Sequence, residues 1–300
     1  MVLSIVVITM NRADQLRSAL LSCVKSQLPS EVEFVIVDNA STDNTKQMIE
    51  DFFKEYQYPF KYDYQAVNLG VGGGRNRGYE LAEGKYVYFL DDDAVIASDS
   101  YDSFFIKSIA LFEADSHVAT ITTRIYDELW GCDRDVRVSK QSSKDGVANI
   151  FMFLGGSHFL RKKYFLPPLY LEIKYGMEEL LPSILVADKG LRNCYLSDIR
   201  ILHQPRRNKW IPGSNDARDI AIRYNANMYC TKKMLYPNIM APALFIVFML
   251  RCMIRFGCRL SLYKKSYLMY RNIYNGNKVH KISIRTVMSL ARLYSVGAVL

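Results

Sequence analysis

Three consecutive carboxylates, Asp91, Asp92 and Asp93, follow an apolar run that begins at Tyr86. Adjacent carboxylates repel one another, so a fold that holds them together must offset the repulsion, and a divalent cation is the commonest means. A solvated acidic turn after a strand is the ordinary alternative. The residues that flank this triplet and converge with it favour a metal-bound phosphate site.

The elements that must position these aspartates alternate along the chain between strand-like and helical patterns. Apolar β-branched runs predict strands, and apolar residues at helical spacing between them predict helices. The predicted strands are 2–8, 33–37, 60–66 and 86–90, and the predicted helices are 11–27, 41–53 (capped by Ser41 or Asp43) and 72–82. This alternation predicts a mostly parallel sheet with helices on both faces. Because ligands bind at the carboxyl ends of such strands, we expect the segment 9–12, Asp38 and the three aspartates to meet at one edge.

The patterns after residue 97 are less regular. We predict a helix over 101–114, a strand over 118–125, an adaptable surface loop over 127–146, a strand over 151–160, a helix over 178–188, and short strands over 194–196 and 200–202. Gly155 and Gly156 interrupt the strand predicted over 151–160, where a backbone or a ligand could approach closely. His203 closes the last strand.

Charge divides the chain into two parts. The last acidic residue is Asp219, and residues 220–300 carry 13 Lys and Arg, whereas the whole chain has a net charge of +9. Half of the residues are hydrophobic, which is enough for a sizeable core. The apolar N-terminal run is too short to span a membrane, and the six cysteines show no zinc-like spacing. We therefore expect a cytosolic protein with reduced thiols.

The basic tail contains the apolar run 239–250, which has twelve residues and is followed by basic residues interleaved with Leu and Tyr. Twelve residues are too few for a spanning helix, so the pattern favours an amphipathic segment on an anionic membrane surface. The alternative is that its apolar face packs on the rest of the chain or on a second copy in a homo-oligomer. No groove-fitting element or stacking platform indicates nucleic acid.

Five motifs in register carry a family resemblance: Thr9-Met-Asn-Arg12, 37–45 (VDNASTDNT), Asn68-Leu-Gly70, Arg75-Asn-Arg-Gly78 and Phe89-Leu-Asp-Asp-Asp93. With them the chain resembles the family 2 glycosyltransferases of GT-A fold over roughly residues 2–205. The resemblance implies a Rossmann-like α/β catalytic domain over 1–205, and we assign 206–300 to a helical region for membrane association or oligomerisation. The glycine run 70–78 does not fit a dinucleotide fingerprint, and we interpret it as backbone that passes close to the nucleotide.

The resemblance also implies roles for individual residues. Asp38 would pair with the nucleotide base, Arg75 would contact diphosphate oxygens, and Asp92 would lie near the ribose. The implied nucleotide-binding set is Thr9, Asn11, Arg12, Asp38, Asn68, Gly70, Arg75 and Asp92. The implied ligands of Mn²⁺ or Mg²⁺ are Asp91, Asp93 and His203, and the cation would neutralise charge on the departing diphosphate.

The family's catalytic aspartate corresponds in position to Glu179, with Glu178 as the second candidate base. An inverting transfer needs a carboxylate that takes the proton of the acceptor hydroxyl. Two glutamates at the start of a helix also have an ordinary explanation in the helix dipole. The segment 204–210 lacks the QxxRW spacing of processive synthases, which favours transfer of a single sugar.

The resemblance therefore predicts an inverting, metal-dependent glycosyltransferase. It would move one sugar from a nucleotide-diphosphate sugar, UDP by preference, to a saccharide or lipid-linked acceptor in bacterial surface polysaccharide or lipopolysaccharide synthesis. We expect it on the inner face of the cell membrane. A sugar nucleotidyltransferase is one alternative, although it would carry a glycine-rich basic loop directly after the first strand. A catalytically silent membrane-surface binding module is the other.

Overall fold

A computed structural model describes residues 1–141, 146–173, 175–205, 215–276 and 279–300. Its strands are Leu3–Thr9 (β1), Val32–Asp38 (β2), Phe60–Tyr64 (β3), Tyr86–Asp91 (β4), Ala94–Ile96 (β5), Val118–Asp127 (β6), Cys132–Asp133 (β7), Val147–Ile150 (β8), Ser157–Arg161 (β9) and Arg192–His203 (β10). Its helices are Ala13–Lys25 (α1), Thr45–Tyr56 (α2), Gly70–Leu81 (α3), Phe104–Ala114 (α4), Leu180–Asp188 (α5), Asn215–Leu235 (α6), Ala241–Phe256 (α7), Leu260–Gly276 (α8), Ile284–Tyr294 (α9) and Val296–Val299 (α10). Most of the segment 204–210 lies outside the described residues.

The described strands form one mixed sheet in the order β3-β2-β1-β4-β9-β6-β10-β5, with β7 paired to β6 and β8 to β10. Along this path β9 and β5 are antiparallel to their neighbours, and the other six strands run in one direction. Helices flank the sheet, so the predicted mostly parallel α/β fold is confirmed. β1 and β2 are almost wholly buried, which explains their continuous apolar runs.

The glycines of α3 serve helix packing. A Cβ atom on Gly78 would lie 2.4 Å from Val6 Cγ1, and one on Gly74 would lie 2.8 Å from Ile8 Cγ2. A Cβ atom on Gly72 would lie 2.2 Å from the carbonyl oxygen of Leu171. Protein atoms therefore occupy the space that a side chain would need at these three positions, and the passage of this backbone close to a nucleotide stays a prediction.

Several predicted boundaries differ from the structure. The strand predicted over 151–160 is wrong, because the chain forms β8 before this range and β9 at its end, with a loop between them. The two short strands predicted over 194–196 and 200–202 are one strand, β10, with a register shift between Leu196 and Arg200. Helix α2 begins at Thr45, whose N–H donates to the Asp43 carboxylate at 3.1 Å.

The region after residue 215 is helical, as predicted, and it shares a hydrophobic core with the part before it. Residues of this second core come from the loop after β8, from α5 and from the helices α6 to α9. Leu244, Phe248, Cys252 and Phe256 form the stripe of α7 that packs into it. Part of the tail's apolar surface therefore packs on the rest of the chain, which was one of the two interpretations left open.

The opposite face of α7 is apolar and exposed. The helical segment Asn238–Phe256 has 19 residues and a mean hydropathy of 1.9, and 22% of its most apolar window is buried. By length and composition this helix could cross a membrane, so the expectation that the segment is too short to span one is wrong. The helix simply continues through Arg251 and Arg255.

Candidate active site

The carboxyl ends of β1, β2 and β4 lie side by side. In the strand register Thr9 is the partner of Asp38, and Ile8 is the partner of Asp91. The predicted convergence of these loops at one edge of the sheet is therefore observed. Because the three strands are parallel and adjacent, their loops bring polar side chains together from residues 80 positions apart in sequence.

Asp92 is buried at this edge and is held by two residues of the first loop. The Thr9 hydroxyl donates to Asp92 Oδ2 at 2.8 Å, and Arg12 Nη1 donates to Asp92 Oδ1 at 2.6 Å and to Asp93 Oδ2 at 2.9 Å. Burial raises the pKa of Asp92 to about 6, although Arg12 opposes this shift. The observed partners of Thr9 and Arg12 are thus protein carboxylates, and contact with base or ribose stays a prediction.

Asp91, Asp93 and His203 form a compact set of three donor groups. Their ligand atoms all lie within 4.8 Å of one another, and His203 Nε2 is 3.3 Å from Asp93 Oδ1. The register explains this proximity, because His203 pairs with Ala94 in β5, next to Asp93. Burial opposes the charge of both side chains, but their ion pair raises the pKa of His203 and lowers that of Asp93. Two carboxylates and an imidazole fit Mn²⁺ or Mg²⁺.

Asp127 and Arg134 complete this cluster, although sequence reasoning placed both in a surface loop. Asp127 Oδ2 is 3.0 Å from His203 Nδ1 and 3.2 Å from Arg134 Nη2. The carboxylate on Nδ1 fixes the orientation of the imidazole, while Nε2 lies 3.2 Å from Arg134 Nη2 and faces Asp93. Asp127 is the last residue of β6, so the rule about strand ends that located Asp38 could also have found it.

Glu178 and Glu179 are buried directly before α5. Arg75 Nη1 donates to Glu179 Oε1 at 2.6 Å, while Arg75 Nη2 donates to Asp91 Oδ1 at 3.0 Å. The guanidinium therefore joins the candidate base to the candidate metal site. Both of its terminal nitrogens have protein acceptors and its side chain is buried, so the predicted diphosphate contact of Arg75 stays untested.

The two glutamates differ in environment. Burial, and then the charge of Glu179, raise the pKa of Glu178 to about 7. The Glu178 carboxyl also accepts the N–H of Gly176 at 2.5 Å, so it is engaged within its own loop. Glu179 approaches Gly155 so closely that a Cβ there would lie 1.9 Å from its Oε1. Gly155 thus makes room for the glutamate and for Arg75, whose Nη2 would lie 2.9 Å from the same Cβ.

An open pocket of about 320 Å³ lies beside Asp38, and its lining includes Ser41, Tyr62 and Tyr64. Asp38 Oδ2 accepts the Tyr62 hydroxyl at 2.8 Å, and Asp38 Oδ1 accepts the Ser41 N–H at 2.8 Å. Aromatic rings beside a hydrogen-bonding carboxylate are typical of a pocket for a planar ring.

Asn11, Asn68 and Gly70 border the first loops. Asn11 Oδ1 accepts the N–H of Thr42 at 2.7 Å, and Asn68 Oδ1 accepts the N–H of Gly70 at 2.7 Å. These bonds fix the loops that surround the pocket. Direct contact of the three residues with a nucleotide stays a prediction.

The sequence profile of glycosyl transferase family 2 matches residues 4–163. Abequosyltransferase RfbV of Salmonella typhimurium is 34% identical over 102 residues, which are 33% of this chain and 30% of that protein. The GalNAc(5)-diNAcBac-PP-undecaprenol beta-1,3-glucosyltransferase of Campylobacter jejuni is 30% identical over 106 residues, 35% of this chain and 34% of that protein. The chain thus spans about a third of the length of these relatives.

Solved structures share the fold. The 1–349 segment of S. aureus TarS in complex with UDP-GlcNAc superposes with a TM-score of 0.65 at 17% identity, covering 96% of this chain and 83% of that one. The mannosyltransferase PcManGT from Pyrobaculum calidifontis, in complex with GDP-Man and Mn²⁺, superposes with a TM-score of 0.58 at 15% identity, covering 96% and 78%.

Proposed function

Because the chain belongs to glycosyl transferase family 2, we propose that it transfers one sugar, with inversion, from a nucleotide-diphosphate sugar to a hydroxyl of a saccharide or lipid-linked acceptor. The observation that carries the proposal is the bridge through Arg75, which holds the Glu179 carboxylate beside the Asp91 carboxylate. The Arg75 guanidinium thus keeps the candidate base close to the candidate metal site. This arrangement suits a reaction in which the nucleophile and the leaving group lie on opposite sides of one carbon.

The donor is a UDP-sugar in this proposal. The pocket beside Asp38 supports a nucleotide base there, since a carboxylate oxygen can accept the imide N–H of uracil. The TarS complex contains UDP-GlcNAc, and the PcManGT complex contains GDP-Man. The sugar itself is not encoded in these contacts.

Asp91, Asp93 and His203 would hold a divalent cation, with Asp127 orienting the imidazole. When bound, the cation would supply positive charge to the departing diphosphate. Arg12 contacts both Asp92 and Asp93, and its positive charge would offset the repulsion between these two carboxylates.

Glu179 acts as the base in the proposed mechanism. Its carboxylate would accept the proton of the acceptor hydroxyl as that oxygen attacks the anomeric carbon. Arg75 holds this carboxylate in place through the 2.6 Å hydrogen bond from its Nη1. Glu178, with its raised pKa and its bond to Gly176, would support the loop instead of acting on substrate.

Thermal-shift measurements with UDP, dTDP, GDP and CDP, each with and without Mn²⁺, test the donor site. We expect UDP to raise the melting temperature, and to do so more with Mn²⁺ than without it. Asp93→Asn should abolish the additional shift caused by Mn²⁺, whereas Asp133→Asn, at an exposed aspartate paired with Arg124, should keep it. If no nucleotide stabilises the protein, the proposal fails. If nucleotide binding is indifferent to metal and to Asp93→Asn, a silent binding module is favoured.

The proposed location is the inner face of a bacterial cell membrane, and the proposed process is synthesis of a surface polysaccharide. The undecaprenol in the name of the C. jejuni relative supports a lipid-linked acceptor. The exposed face of α7 supports membrane contact: it presents Phe245, Ile246, Leu250, Met253 and Ile254, and the exposed Arg255 and Arg259 follow them. An apolar face flanked by cations suits insertion at the level of anionic headgroups.

Sedimentation with phosphatidylglycerol vesicles tests this location in the full-length protein. Ile254→Glu should reduce vesicle binding at least tenfold, because it places a charge on the inserted face. Leu166→Glu is the matched control, since both side chains are 84% exposed and Leu166 lies outside the C-terminal helices. Equal binding by both variants would rule out α7 as the membrane contact.

A further inference from the structure

Two tyrosines lie at the loop that leads to the candidate base. Tyr175 lies on the loop before Glu178 and is 36% exposed, and Tyr224 lies on α6. Their ring centroids are 6.2 Å apart with an interplanar angle of 31°. Both lie outside the segment 4–163 that matches the family profile.

Helix α6 holds the loop that carries Tyr175 and leads to the two glutamates. The buried Asn227 donates through Nδ2 to the carbonyl oxygens of Tyr175 at 3.1 Å and Gly176 at 2.7 Å. The Tyr224 ring fills the space beside Gly176, where a Cβ atom would lie 1.9 Å from its Cε1. Gly176 has a φ of +97°, which favours glycine, so the loop can form this turn against the ring.

The pair lies beside the loop of the glutamates, because the Tyr224 ring packs against Gly176, whose N–H donates to Glu178 Oε1. Tyr224 is close enough to both glutamates for their charges to help raise the pKa of its phenol, after burial, and Tyr175 likewise senses Asp91 and Glu178. Both phenols therefore stay neutral hydrogen-bond donors. A partly exposed pair of tyrosines matches a sugar ring, because the aromatic faces suit its apolar C–H faces and the hydroxyls suit its polar edges.

We propose that Tyr175 and Tyr224 form the acceptor-binding wall of the active site, on which the ring of an acceptor saccharide stacks with one hydroxyl directed at Glu179. This inference rests on the proposed function. It assigns to the C-terminal region a direct part in acceptor selection, because α6 supplies both Tyr224 and the Asn227 that holds Tyr175 in place.

Saturation-transfer-difference NMR of the full-length protein with UDP and Mn²⁺ tests the wall. The probes are the methyl glycosides of glucose, galactose, mannose, N-acetylglucosamine, N-acetylgalactosamine and rhamnose. At least one should receive saturation from the wild type, and Tyr175→Ala and Tyr224→Ala should reduce that transfer at least fivefold. Tyr224→Phe should keep most of it, since the ring remains. Tyr267→Ala, at a tyrosine of α8 that is 41% exposed, should leave it unchanged.

The UDP-induced thermal shift separates failure of this inference from failure of the proposed function. All variants should keep the wild-type shift, because the wall lies outside the donor pocket, and this also shows that they are folded. If UDP stabilises the wild type but no glycoside binds, or if the alanine variants bind glycosides like the wild type, the inference is overturned. If UDP does not stabilise the wild type, the proposed function itself fails.

Discussion

At the scale of residues, one buried arginine determines how the acidic groups are arranged. Arg75 lies between Glu179 and Asp91, and burial opposes its charge, but these two carboxylates raise its pKa. A buried cation without a negatively charged partner destabilises the folded state, and so does a buried carboxylate without a cation. Arg75 therefore joins the two halves of the proposed reaction.

Replacing this cation should affect both stability and the pH dependence of the reaction. Arg75→Met leaves buried carboxylates uncompensated, so we expect a loss of about 3–5 kcal/mol of unfolding free energy. It should also raise the pKa of the neighbouring Glu178 further, because the charge of Arg75 opposes that shift, so the acid limb of the pH–rate profile for UDP release moves to higher pH. Arg75→Lys should restore part of both. An unshifted acid limb in Arg75→Met would exclude this role.

Glu178 should make stability depend on pH. Its pKa of about 7 in the folded protein exceeds the ordinary value of 4.5, so the folded state holds the proton more tightly. Stability should therefore fall as the pH rises from about 4.5 to 7, by at most about 3 kcal/mol.

Urea unfolding at pH 5 and pH 8 measures this effect. Glu178→Gln cannot ionise and should gain stability relative to the wild type between the two pH values. The exposed Glu172→Gln is the control and should show no such gain. A pH-independent difference between Glu178→Gln and the wild type would contradict the assignment.

At the scale of elements, the glycines of helix α3 allow the helix to pack closely on the sheet. The glycines resemble a nucleotide-binding run, yet Gly74 and Gly78 let the helix lie against Ile8 and Val6 of β1. This close packing places Arg75, on the same helix, within reach of Asp91. The short distance between α3 and the sheet therefore positions Arg75 in the candidate active site.

A methyl group at Gly78 should test that distance. Gly78→Ala places a Cβ 2.4 Å from Val6 Cγ1, so we expect a loss of about 1–3 kcal/mol through overpacking, measured by urea unfolding. Gly297→Ala in α10 is the matched control, because nothing lies within 4 Å of its added Cβ. Equal stabilities of the two variants would show that α3 can move outward freely.

At the scale of the whole molecule, the division at residue 205 marks a change of architecture without a break in packing. The second core combines Phe151, Leu171 and Ile184 from the first part with residues of α6 to α9. Asn227 and Tyr224 connect the same helices to the loop of the candidate base. A chain cut near residue 214 would therefore expose apolar surface and lose support for Glu179.

Shared packing predicts one cooperative unfolding transition. Denaturation curves from the circular dichroism of the helices and from tryptophan fluorescence should coincide. Ile184→Ala, at a fully buried position in this core, should shift both together by about 2–5 kcal/mol. Two separate steps in the circular dichroism curve, with half of the ten described helices before residue 205, would instead indicate two independent domains.

The sequence by itself determined the alternating elements, the family and the edge of the sheet at which Asp38, Asp91 and Asp93 meet. These follow from local periodicity and from the rule that parallel strands end at one edge. Only the tertiary structure decided which groups face each other. Arg75 contacts Glu179 across 104 residues, His203 meets Asp93 through strand pairing, and Tyr224 reaches the base loop from a helix beyond the family match. No local pattern records such contacts, because packing sets them.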